Sequence, residues 1–166
     1  TDNSPIPEVQ AAMDAGLGVK GKNRLLINKD YGSWFFISEI VTTMRLPAAE
    51  IKETACLNCG KCIAACPTHA LTENGFDKNL CLSDITQRKG ELTPEQEKLI
   101  KQTGCAWGCD ICQTVCPMNK KVKINPAEVF LDGIETTART DNISDRAYAW
   151  RGEKVIKRNL DIISGQ

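Results

Sequence analysis

Cys56-Leu57-Asn58-Cys59-Gly60-Lys61-Cys62-Ile63-Ala64-Ala65-Cys66-Pro67 and Cys109-Asp110-Ile111-Cys112-Gln113-Thr114-Val115-Cys116-Pro117 are the two stretches that decide how this chain folds. A cubane iron–sulfur cluster needs four thiolates at the corners of a tetrahedron. Two-residue spacers let one short loop supply three of them and turn backbone N–H groups toward the sulfurs. The last cysteine of each run starts a new segment and ligates the other cluster. Pro67 and Pro117 fix the backbone where the chain leaves the cluster and offer no N–H.

The spacing is that of a bacterial dicluster ferredoxin and predicts two 4Fe–4S clusters. Cluster one takes Cys56, Cys59, Cys62 and Cys116. Cluster two takes Cys66, Cys109, Cys112 and one more thiolate. Cys81, between the two runs, and Cys105, four residues before Cys109, both stand for that place. Spacing alone leaves the choice open. Structural zinc fits less well, because it usually shows paired Cys-x-x-Cys knuckles or Cys with His. A total of nine cysteines is awkward for a disulfide framework. With no secretory signal in the sequence, the expected compartment is reducing and cytoplasmic, where thiols persist and bind metal.

The rest of the chain is ordinary in composition, with 42% hydrophobic residues and 21 basic against 21 acidic side chains over 166 residues. Zero formal net charge argues against a general nucleic-acid or membrane binder, though it leaves room for local basic patches. No apolar run approaches a membrane span, so no membrane partner is expected. The opening Thr1-Asp2-Asn3-Ser4-Pro5 lacks an initiator Met and reads as part of something longer.

Around the cysteines, local signals set the organisation. Ser4 and Pro5 can start a short helix with Ile6, Val9, Gln10 and Met13 on one face, stopped by Gly16. Two strand-like runs, Arg24 to Asn28 and Ser33 to Thr43, are separated by turn residues and predict a hairpin. In the second run, strand alternation would send at least one of Trp34 and Phe35 into a core. Gly16 to Gly21 lacks the Gly-Lys-Ser/Thr ending of a phosphate loop. Thr93-Pro94-Glu95-Gln96 is a capping box with Pro at the first helical position, starting a helix that ends near Gly104. Val155, Ile156, Leu160 and Ile163 form an apolar stripe on a terminal helix. The basic residues from Arg146 to Arg158 could touch phosphate, but a solvated helix face is the plainer reading. One internal repeat is present, Cys-x-x-Cys-x-x-x-Cys-Pro at 59–67 and again at 109–117.

Four blocks carry a resemblance: Gly16 to Asn23, Gly32 to Glu39, Cys81 to Thr86, and Gly108 to Asn119. Together they resemble epoxyqueuosine reductase and its close relatives, cobalamin-dependent iron–sulfur enzymes of tRNA modification. The resemblance runs in order from Asp2 to about Asn119 and is thinner beyond. It implies a nitroreductase-like cobalamin domain coupled to a ferredoxin domain, and it favours Cys81 over Cys105 as the fourth ligand of cluster two. It matches Asp2, in Asp2-Asn3-Ser4-Pro5, to the family's proposed proton donor, and it puts corrin contacts around Leu26 and Ile37. The plain reading of Leu26 and Ile37 is core. Against the family, the amino-terminal half of the cobalamin domain and most of the carboxy-terminal helical region are missing. Asp84 replaces an aromatic residue, and His69 stands where Gly is usual. A lone His there reads as a turn residue.

The expectation is therefore an α+β protein. A partial cobalamin-domain segment (1–46) accompanies a ferredoxin-like dicluster domain (50–122) and a short helical tail (123–166). The expected chemistry is electron transfer from a low-potential donor, within an epoxyqueuosine reductase-like oxidoreductase with tRNA as a partner. A stand-alone dicluster ferredoxin or electron-transfer subunit, and a reductive dehalogenase relative, are the alternatives.

Overall fold

The structure, a computed structural model, describes residues 5–47, 56–124, 127–128, 132–135 and 137–165. It is a mixture of short helices and two small antiparallel sheets. The chain divides into two compact units, each built from two stretches: residues 1–65 with 111–125, and residues 66–110 with 126–166. Among the described residues no helix is long and apolar enough to cross a membrane.

In the first unit, helix α1 (Glu8–Asp14) packs against strands β1 (Val19–Lys20) and β2 (Leu26–Ile27). The helix starts from Pro7 rather than Ser4, which lies outside the described residues. It stops as expected, with Gly16 at φ 71°. The strands pair antiparallel, Val19 opposite Ile27 and Lys20 opposite Leu26. This close pairing explains the glycine-rich segment, because a Cβ on Gly18 would run into the carbonyl oxygen of Ile27. Packing, not phosphate, accounts for that glycine.

The expected hairpin between 24–28 and 33–43 does not form. Strand β2 pairs back onto β1, and only an isolated bridge joins Asn28 to Gly32. Two local interactions override the strand propensity. The Asn28 side-chain carbonyl accepts from the N–H groups of Asp30 and Tyr31, tightening the turn. The chain is then captured at Ser33, whose N–H donates to Asn119 Oδ1 at 2.8 Å and whose hydroxyl donates to Gln113 Oε1 at 2.8 Å. An ion pair of 3.0 Å between Lys123 and Asp30 closes the same latch. Beyond it no strand forms through residue 47, and Phe36 (100%), Ile40 (91%) and Val41 (90%) face solvent. Trp34 is exposed and Phe35 half-buried, so of the two it is Phe35 that turns inward.

The cysteine repeat folds twice into the same element. Helices α2 (Lys61–Ala64) and α5 (Ile111–Thr114) occupy equivalent places in the two copies and pack against each other.

The second unit begins with a hairpin that the sequence reading omitted, β3 (Leu71–Thr72) with β4 (Gly75–Phe76) around a two-residue loop. The loop is Glu73-Asn74, and the Thr72 hydroxyl accepts from the Gly75 N–H across it. Helices α3 (Leu82–Gln87), α4 (Pro94–Thr103) and α6 (Glu153–Ser164) then pack together. The capping box on α4 forms as expected: Thr93 Oγ1 accepts from the Gln96 N–H, Gln96 Oε1 accepts from the Thr93 N–H, and Gly104 ends the helix at φ 64°. Leu82, Ile85 and Ile100 form one buried cluster, on which Ile162 and Ile163 of α6 rest. Ile143, Tyr148 and Ile156 form another, joined by Trp107 and Leu160. The terminal helix thus carries its apolar stripe into both clusters.

Ile100 is fully buried. Its replacement by Ala should cost about 2–4 kcal/mol through lost burial and a residual cavity. Exposed Ile124→Ala should change stability by less than about 0.5 kcal/mol. Chemical denaturation of the two variants checks the contrast.

Candidate iron–sulfur centres

The first four predicted ligands meet in one unit. Cys56, Cys59, Cys62 and Cys116 line a single small cavity, backed by Ile27 and closed by Pro117. Cys116 arrives from the second cysteine run, brought there by the packing of α5 on α2. Their proximity has an electrostatic signature. Burial pushes the Cys62 thiol up, N–H groups of Ile63 and Cys62 itself pull it down, and Cys56 and Cys116 add like-charge repulsion that raises it further. Thiolates gathered this closely are stabilised by a cationic iron core, whose binding releases their protons.

Of the predicted ligands of cluster two, Cys66, Cys81 and Cys109 belong to the second unit and Cys112 to the first. The Cys66 sulfur is set up to ionise. Burial pushes its pKa up, but the Thr68 hydroxyl and the N–H groups of Leu71, Thr68 and Ala70 outweigh burial and bring it below the usual thiol value. The curl that turns these N–H groups onto the sulfur depends on His69, which sits at φ 56° and donates its N–H to the Cys66 carbonyl. A left-handed residue within a run of right-handed ones makes an anion-binding nest. His69 is therefore the turn residue anticipated from sequence, and Gly is the natural alternative there because it adopts this conformation without a Cβ penalty.

Cys81 caps the start of α3, and its carbonyl accepts from the Ile85 N–H. Cys109 packs against the Leu82, Ile85 and Ile100 cluster. Cys105 packs there too, with its thiol donating to the Gly108 carbonyl at 2.8 Å. Burial and the neighbouring Cys109 push the Cys105 thiol up. The remaining predicted residues sit elsewhere. Leu26 is buried in β2, Ile37 is half-buried on the solvent-facing segment, and Asp2 lies outside the described residues.

Paired cysteine runs, a four-cysteine cavity and a hydrogen-bonded Cys66 sulfur define a double-cluster iron–sulfur protein. Residues 55–119 match the 4Fe-4S double cluster binding domain, so the chain carries two 4Fe–4S clusters. Epoxyqueuosine reductase of Lactococcus garvieae is 35% identical over 173 aligned positions, covering 96% of this chain and 49% of that protein. The solved epoxyqueuosine reductase of Streptococcus thermophilus superposes with a TM-score of 0.79 at 30% identity, covering 98% of this chain and 46% of that one. An epoxyqueuosine reductase solved with an epoxyqueuosine-modified tRNA-Tyr stem loop gives 0.82 at 29% identity over the same shares. The chain belongs to the epoxyqueuosine reductase-like family and spans about half the length of the curated relatives it matches.

The opposite shifts of Cys66 and Cys62 predict an order of reactivity in reduced, cluster-free protein. Only the thiolate alkylates, so Cys66 should react with iodoacetamide at lower pH than Cys62 or Cys105. Mass spectrometry across a pH series, with each site normalised to unfolded chain, checks the order.

Proposed function

We propose that this chain is the cluster-bearing part of an epoxyqueuosine reductase-like enzyme. It takes electrons from a low-potential donor and passes them to a cobalamin held against residues 1–46, for removal of the epoxide oxygen of epoxyqueuosine in tRNA. One observation carries the reading: the likeness to epoxyqueuosine reductases covers 96–98% of the chain, well beyond the cysteine-rich 55–119. A stand-alone dicluster ferredoxin needs no counterpart of α1, β1 and β2. The Gly108-Cys109-Asp110-Ile111-Cys112-Gln113 block favours the tRNA enzyme over a reductive dehalogenase relative.

When bound, the clusters supply one-electron steps at potentials that in proteins reach down to about −700 mV, and cobalamin supplies the reducing metal centre. Release of the epoxide oxygen as water consumes two electrons and two protons. The chain's part is to hold the clusters through Cys56, Cys59, Cys62 and Cys116 and through Cys66, Cys81, Cys109 and Cys112. Asp2 is the proposed proton donor, since a carboxyl shielded from water beside a corrin face keeps its proton near neutrality. The solvent-facing apolar segment around Phe36, Ile40 and Val41, which also carries Ile37, is a surface that calls for a cover. A corrin or the remainder of a cobalamin domain would supply one.

The basic stretch from Arg146 to Arg158 offers fewer hands to tRNA than its composition suggests. Arg146 pairs with Glu135, Lys157 with Asp161, and Arg158 donates to the carbonyls of Arg88 and Gly90. Arg151 stacks on Trp150 at 4.1 Å and lines a groove with Lys89 and Lys154. These three are the proposed phosphate contacts.

Reconstitution under argon should give about eight irons per chain. About two irons, or zinc in their place, would overturn the cluster reading. Cys81→Ser should retain about four irons while Cys105→Ser retains about eight. Lys154→Glu should weaken binding of a modified tRNA stem loop and lower its salt dependence by about one phosphate contact. Equal affinity across a salt series would remove the groove from the interface.

A further inference from the structure

Among the described residues of the second unit, two polar side chains are completely buried, Thr86 on α3 and Asn159 on α6. Asn159 sits among the residues of the apolar stripe, where Leu would serve packing as well. Its polarity is used in full. Its Nδ2 donates to the Thr86 carbonyl at 2.7 Å and to the Ala106 carbonyl at 2.8 Å. Its Oδ1 accepts from Nε and Nη2 of Arg158 at 3.0 and 2.8 Å. The Thr86 hydroxyl donates to the Ser83 carbonyl and accepts the N–H of Gly108 at 3.1 Å. The Gly108 carbonyl in turn accepts from the Cys105 thiol at 2.8 Å. Both backbone groups of Gly108 are therefore held, in a residue at φ 68° that directly precedes Cys109. At the other end of α3 stands Cys81, its N-cap.

We infer that Thr86 and Asn159 are positioning residues for cluster two, tying the segment that presents Cys81 to the loop that presents Cys109. Helix α3 is a short rod that starts just after Cys81 and carries Thr86 in its last turn, and the Thr86 hydroxyl holds the loop at Gly108. Asn159 holds the backbone on both sides of that contact. Cys105 acts as a hydrogen-bond donor that braces the same loop. The terminal helix is thereby part of the scaffold of an iron–sulfur centre that contains none of its residues. Buried polar groups that complete one another in this way specify a single geometry, which an apolar substitute would leave loose. The inference rests on the proposed ligation of cluster two by Cys81 and Cys109.

Thr86→Val keeps the volume and removes the hydroxyl, leaving the Gly108 N–H without its acceptor. The reconstituted 166-residue chain carrying this change should fall from about eight to about four irons per chain. Alternatively it should keep eight with an altered electron paramagnetic resonance line shape and a shifted midpoint potential for one cluster only. Thr86→Ser should restore the wild-type signals, and Asn159→Leu should reproduce the defect. Thr86→Val with full iron, an unchanged line shape and an unchanged potential would overturn the inference. Loss of both clusters together with the helical circular dichroism would also overturn it, since the role would then be merely structural. If Cys81→Ser and Cys109→Ser both keep about eight irons, the ligand assignment beneath the inference is what fails.

Discussion

Everything in this chain answers to the difficulty of holding several cysteine sulfurs at one point. Burial raises the cost of ionising each thiol, as Cys62 registers, and the neighbouring sulfurs of Cys56 and Cys116 add to it. The chain meets the problem with backbone dipoles. N–H groups of Ile63 and Cys62 face one sulfur, and those of Thr68, Ala70 and Leu71 face another. Such dipoles need abrupt turns, and the cysteine segments are accordingly short helices broken by left-handed residues such as Asn58, Gly60, His69 and Gly108. The longer helices α4 and α6 carry no cysteine and stabilise the second unit by apolar burial, with Cys105 and Cys109 packed on the cluster that Ile100, Ile162 and Ile163 help to build.

The ligand pattern and the capped helix were legible in the sequence because each depends on neighbours within a few positions. Two-residue spacers and the Thr93 to Gln96 box are local devices, and the box forms as written. The 33–43 run was misread because its alternation is a statement of propensity, and propensity yields to whichever long-range partner arrives first. Here that partner is Asn119, which captures Ser33 from 86 residues away. Asn159 was passed over for the converse reason. It lies between apolar positions on a helix, and nothing nearby announces that it will meet the carbonyls of Thr86 and Ala106.

The two units also show how charge is spent. From composition, the basic residues after 146 look like a binding face. Most prove to be fastenings: Arg158 alone bonds to Arg88, Gly90 and Asn159. A guanidinium carries five donors in a fixed fork, which suits it to stitching loops to a helix as much as to gripping phosphate.

Cys59 alone among the nine cysteines is exposed, the others being half-buried. Reactive oxidants reach an accessible sulfur first and move it up the ladder from sulfenic acid onward. In cluster-free protein oxidation should thus begin at Cys59, and with it the cavity shared by Cys56, Cys62 and Cys116 would lose a ligand.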